Sequence, residues 1–73
     1  METIRTFTAF GIFESNVNIT VELIKCDDHY EVRETFSRDC TCDDSYTITR
    51  KFCFYSMAKY DYDNEVHTIV EFA

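Results

Sequence analysis

Residues 17–26, Val17-Asn18-Ile19-Thr20-Val21-Glu22-Leu23-Ile24-Lys25-Cys26, alternate apolar and polar side chains over most of their length. Val17, Ile19, Val21 and Leu23 fall on one side; Asn18, Thr20 and Glu22 fall on the other. A period of two marks a half-buried β-strand, because successive side chains of a pleated strand point to opposite faces. Asp27-Asp28 then reads as a tight hairpin turn, although the glycine such turns favour is missing. Residues 29–37 (HYEVRETFS) return as a second strand, with Tyr30, Val32 and Phe36 on one face and Glu31, Arg33 and Thr35 on the other.

The flanks extend the same pattern. Residues 3–13 (TIRTFTAFGIF) read as a strand with apolar groups on both sides, and Gly11 marks a bulge or a bend. Glu14-Ser15-Asn16 is a short turn, and residues 38–45 (RDCTCDDS) read as the one real loop. Residues 46–56 (YTITRKFCFYS) are β-branched and aromatic, with Tyr46, Ile48, Phe52 and Phe54 sharing a face. A short helix within 46–60 is the rival reading, with Ser45 as N-cap and Ile48, Phe52 and Tyr55 as its stripe. A turn near Asp63-Asn64 leads into a last strand, 65–72 (EVHTIVEF), with Val66, Val70 and Phe72 on one face and Ile69 on the other. The expectation is a mainly β single domain over 1–73. It is an antiparallel meander of about five strands, closed as a small barrel or packed as a sheet.

Composition narrows the function. A chain of 73 residues allows one domain and a thin margin of stability. An apolar fraction of 45% argues against disorder. Seven Phe and five Tyr can supply most of a small core. With one glycine and no proline, Gly-rich phosphate loops are excluded, and turns fall to Asp, Asn and Ser. No apolar run approaches membrane-spanning length, and the N-terminus lacks a signal-peptide pattern, so a cytoplasmic chain is expected. Fourteen acids against seven bases leave a net charge of −7. That disfavours direct binding to a phosphate backbone and favours encounter with a basic partner. Acidity also simply keeps a small protein soluble.

Cys26, Cys40, Cys42 and Cys53 are the thiols, and Cys40-Thr41-Cys42 is a CxC pair, tighter than the usual spacing of paired zinc ligands. His29 adds a further ligand type. The meander sets Cys26 at one end of the hairpin and Cys40 and Cys42 at the other, roughly 30 Å apart at strand rise. Cys53 falls about 10 Å from Cys26, two strand spacings away, beyond disulfide reach. A shared four-cysteine site is therefore not expected, and reduced thiols are. A small zinc-binding module stays open as an alternative.

Neither His29 nor His67 has a nucleophile beside it in a catalytic pattern, and Asp27 and Asp28 would raise the pKa of a thiol at Cys26. Asp61-x-Asp63-x-Glu65 could seat a hard cation but lacks the Gly and distal Glu of a calcium loop. No GxSxG, HExxH or GxxxxGK[ST] occurs. No enzyme, cofactor or metal is expected. The acids instead gather at turns: Asp27, Asp28 and Glu31; Asp39, Asp43 and Asp44; Asp61, Asp63 and Glu65, with Tyr60 and Tyr62 interleaved. Tyrosine beside carboxylates makes a protein-binding edge, in which aromatic area anchors and charge steers. These eleven residues are the candidate partner-binding set. The competing explanation is that aspartate merely suits turns.

In its short length, its charge and its Tyr60-Asp61-Tyr62-Asp63 run, the chain resembles small phage-encoded inhibitors of host defence, the anti-CRISPR and DNA-mimic proteins. The resemblance implies a cytoplasmic protein of the host cell that blocks a basic protein or nucleoprotein complex, such as a CRISPR effector, at its DNA-binding surface. Arg50-Lys51 departs from an extreme DNA mimic. A structural or assembly protein of a virus, and a homodimer, are the other associations left open.

Overall fold

The alternation of residues 17–25 produces β2, Val17–Lys25, which pairs antiparallel with β3, Tyr30–Arg38, from Val17↔Arg38 to Lys25↔Tyr30. The structure, a computed structural model, describes residues 1–11, 17–38 and 41–71, with the backbone alone at 38 and 41–44. β1, Glu2–Phe10, lies outside β2, and β4, Thr41–Phe52, lies outside β3. The spatial order is therefore the chain order, β1-β2-β3-β4. A helix, α1, spans Tyr55–Glu71 and packs over β2, β3 and β4.

The pleat sorts the sheet into two faces. Phe7 and Ala9 of β1, Ile19, Val21 and Leu23 of β2, and Val32 and Phe36 of β3 point toward α1. The helix answers with Ala58, Tyr62, Val66 and Ile69, spaced four, four and three residues apart, which is one stripe of a 3.6-residue repeat. Val21, Leu23 and Val32 are wholly buried between the layers. Burying side chains of this size contributes roughly 1.5–3 kcal/mol each, so the central strands carry most of the core's stabilisation.

The strand count is four, not five. Residues 57–71, expected as a turn and a final strand, are helical, and the helix begins at Tyr55 instead of falling within 46–60. Val66, Thr68 and Val70 have strand propensity, but Ala58, Tyr62 and Ile69 can bury together only on a helix. The segment also holds neither Gly nor Pro to interrupt it. Most of the loop expected over 38–45 is strand, because β3 runs to Arg38 and β4 from Thr41. The helix leaves the far end of β4 uncovered, so Tyr46 and Ile48 are exposed, with Tyr46 stacked on Phe36 at 4.9 Å.

Of the bulge or bend expected at Gly11, the structure shows the bend. The irregularity of β1 lies between Thr3 and Arg5, whereas Gly11 ends the strand with φ of 66°. Its N–H donates to the Val17 carbonyl at 3.0 Å. This left-handed turn is where a Cβ would be costly, and the chain's single glycine occupies it.

Leu23→Ala is expected to cost about 3 kcal/mol, while Ile48→Thr should stay within about 0.5 kcal/mol. Urea unfolding of both variants checks the pair. Comparable losses at the two positions would contradict a core confined to the helix-covered part of the sheet.

Candidate functional site

Two charged residues interrupt the apolar phase of the inward face. Glu34 falls between Val32 and Phe36 on β3, and Arg50 between Ile48 and Phe52 on β4. The pleat therefore turns both toward α1. Glu34 is 6% exposed, and an unpaired carboxylate so placed would cost several kcal/mol. Arg50 offsets that cost: its Nη2 donates to Glu34 Oε1 at 2.7 Å and its Nε to Asp61 Oδ2 at 2.8 Å. Nη2 also lies 3.3 Å from Glu65 Oε1. Asp61 and Glu65 are one helical turn apart, so both reach the same guanidinium.

Three carboxylates thus share one cation, and the imbalance shows in Glu65. Burial pushes its carboxyl above the usual carboxylate range, and the charge of Glu34 and a hydrogen bond with it push the same way. Burial also bears on the Arg50 guanidinium, but its hydrogen bonds to Glu34 and Asp61 outweigh that and hold it charged.

A second polar group sits at the β2–β3 turn, on the sheet face away from α1. The Cys26 N–H donates to the His29 carbonyl at 2.9 Å, so these residues oppose each other across Asp27-Asp28. His29 Nδ1 lies 2.5 Å from Asp28 Oδ1, and its Nε2 lies 2.8 Å from Glu31 Oε2. Arg33 Nε donates to the other Glu31 oxygen at 2.9 Å. The contacts to Glu31 and then Asp28 raise the His29 pKa, and the same bonds lower both carboxyls, at Glu31 against the opposing effect of burial. Burial, then the charge of Glu31, raises the Cys26 thiol.

Those of the eleven expected partner-binding residues whose side chains are described fall in different places. Asp27 is exposed at the turn, while Asp28 and Glu31 are held by His29, with Glu31 buried. Asp39 lies outside the described residues, as do the side chains of Asp43 and Asp44. Asp61 and Glu65 face the sheet, and Tyr62 is core at 6% exposure. The turn expected to gather Asp61, Asp63 and Glu65 is instead part of α1, which turns Asp63 outward to Lys59 Nζ at 2.8 Å. Tyr60 remains outside, 71% exposed. It lines a shallow groove between β4 and α1 with Phe52, Ser56, Met57, Asp61 and Asn64.

No protein-family model, curated protein or solved structure matches the chain. Among the described residues no helix is long and apolar enough to cross a membrane.

Arg50→Ala leaves Glu34 facing two further carboxylates and is expected to cost about 2–3 kcal/mol, below the fully buried case because the group is partly solvated. Adding Glu34→Gln should restore part of that loss in urea unfolding. Glu65 also gives a pH signature. A carboxyl whose pKa rises on folding holds its proton more tightly in the native state, so ionisation costs stability as pH rises from the unfolded pKa through the folded one. Glu65→Gln should therefore gain on the parent as pH climbs from about 4 to neutrality. A stability difference that does not change with pH would contradict this account.

Proposed function

We propose that the chain is a binding protein that engages a basic macromolecular partner through the outer side of α1. The observation that carries this reading is the exposed apolar strip Phe54, Met57 and Tyr60 beside the carboxylates of Asp61 and Asp63. Residues 57, 60 and 64 lie on one side of the helix, against Phe52 at the edge of the sheet. Apolar area desolvates readily and anchors a contact, whereas nearby charge steers the encounter and selects its sign.

The overall charge favours a cationic surface opposite. Arg33, Arg50 and Lys59 are turned onto the chain's own carboxylates, and acids still outnumber bases by seven over the chain. A nucleic-acid-binding protein or nucleoprotein complex in the cytoplasm of a host cell is the partner class that fits, and the mode is occlusion of the kind used by anti-CRISPR inhibitors. Asp61 and Glu65 fold back on Arg50 and do not form an evenly spaced anionic row. Attraction with apolar docking is thus the mechanism, instead of imitation of a phosphate backbone.

Affinity capture from a lysate of the native cell, with identification by mass spectrometry, tests the reading. A basic nucleic-acid-binding protein should be retained in dilute buffer and released by molar salt. Tyr60→Ala is expected to weaken that complex by at least about 2 kcal/mol, roughly thirtyfold in Kd. Asp63→Lys should weaken it further while lowering stability by no more than about 1 kcal/mol, the loss of one exposed i,i+4 ion pair and its replacement by a like-charge pair. Capture indifferent to salt and to both substitutions would remove α1 from the interface.

A further inference from the structure

We infer that Cys26, His29 and Glu31 form a mononuclear site for a thiophilic divalent transition ion, zinc being the best match to the ligand set. The site is built by the hairpin itself. The backbone bond between Cys26 and His29 holds those two side chains opposite each other on the sheet face away from α1. Glu31, two residues beyond His29 on the same strand, shares that face because of the pleat. Cys26 Sγ, a ring nitrogen of His29 and a carboxylate oxygen of Glu31 all lie within 4.8 Å of one another. Ligand atoms around tetrahedral zinc stand roughly 3.3–3.8 Å apart, given zinc–ligand distances of about 2.0–2.3 Å. Side-chain movement on the order of 1 Å therefore closes the set.

The surrounding contacts distinguish this group from a chance cluster. Metal-bound histidines commonly present their second ring nitrogen to a carboxylate, which fixes the ring and its tautomer. Here Asp28 Oδ1 holds His29 Nδ1, leaving Nε2 aimed at Glu31 Oε2 at 2.8 Å. Arg33 holds the other carboxylate oxygen, Oε1, at 2.9 Å from its Nε and leaves Oε2 available to a metal. Two of the three ligands thus already have the outer partners that orient them. A bound ion takes the place of the proton shared between His29 Nε2 and Glu31 Oε2. It also neutralises the acids that the turn gathers, Asp27 and Asp28 beside Glu31.

The donor set defines the class of ion. One sulfur, one imidazole nitrogen and one carboxylate oxygen suit zinc or cobalt and are poor for magnesium or calcium, which select oxygen alone. Three protein ligands leave a fourth position for water or an outside donor. Cys53 is exposed and is not one of the grouped ligands.

The test is titration of the full chain with Co(II), after treatment with chelator and under a non-thiol reductant. One equivalent should give the thiolate-to-cobalt absorption of a sulfur-bound ion, and Zn(II) but not Mg(II) should abolish it. Cys26→Ser and His29→Ala should each remove the signal, whereas Cys53→Ser and the double substitution Cys40→Ser, Cys42→Ser should retain it. Asp28→Asn should weaken binding about 10- to 100-fold without changing the ligand spectrum. Circular dichroism of each variant confirms that the sheet persists. Binding that survives Cys26→Ser, or that disappears with Cys40 and Cys42, overturns the assignment.

Discussion

The contact between α1 and the central strands governs the rest of the molecule. A four-stranded open sheet has one inward face to bury, and here a single helix buries it. Ala58 is the pivot: its small side chain is fully buried and lets the helix backbone approach β2 and β3. Tyr62 and Ile69 then reach over Ile19, Val21, Leu23 and Val32. One helix cannot cover every strand equally, and the pattern of exposure follows from that shortfall. The part of β4 carrying Tyr46 and Ile48 stays open, and the outer side of α1 presents Met57 and Tyr60. Apolar surface on both elements is thus a consequence of a two-layer architecture built from few residues.

Electrostatics inside the layers trims the helix position that packing sets. The apolar stripe alone would tolerate some sliding of α1 along the sheet. Arg50 removes that freedom, because its planar guanidinium must meet Glu34 on β3 and Asp61 on α1 at once. The contribution is specificity more than stability, since desolvating these charges offsets much of their attraction. The hairpin follows a similar logic on the opposite face, where His29 bridges Asp28 and Glu31 and so orders a turn that has no glycine.

The central hairpin was legible because local and tertiary preferences agree there. Alternation in 17–25 and 30–36 matches both the strand pairing and the inward face. The C-terminal segment was misread because they conflict: Val66, Thr68 and Val70 alternate as a strand would, while the deciding residues, Ala58, Tyr62 and Ile69, are too widely spaced to stand out among tyrosines and acids. The acidic site moves with it, since a turn would have gathered Asp61, Asp63 and Glu65 and a helix spreads them around its axis. Glu34 and Arg50 did leave a trace. Each is a charge at an inward position between apolar residues, and such an interruption on adjacent strands points to a buried pair. The Cys26–His29–Glu31 group has no cysteine-spacing signature, because its ligands are of three different types.

The distribution of charge explains how so acidic a chain can fold and, on the function proposed above, act through its charge. Among the described residues, Asp28, Glu31, Glu34, Asp61, Asp63, Glu65 and Glu71 each have a named partner. Internal pairing therefore accounts for part of the acidity, and turn chemistry alone is an incomplete explanation for it. Yet pairing does not cancel it, because Arg50 serves three carboxylates. The helix–sheet network keeps an anionic surplus even where every member is bonded. A surplus fixed on rigid elements keeps its direction, whereas the same charge on a mobile tail would average out. It lies beside Met57 and Tyr60, so the proposed partner would meet attraction and apolar contact on the same surface.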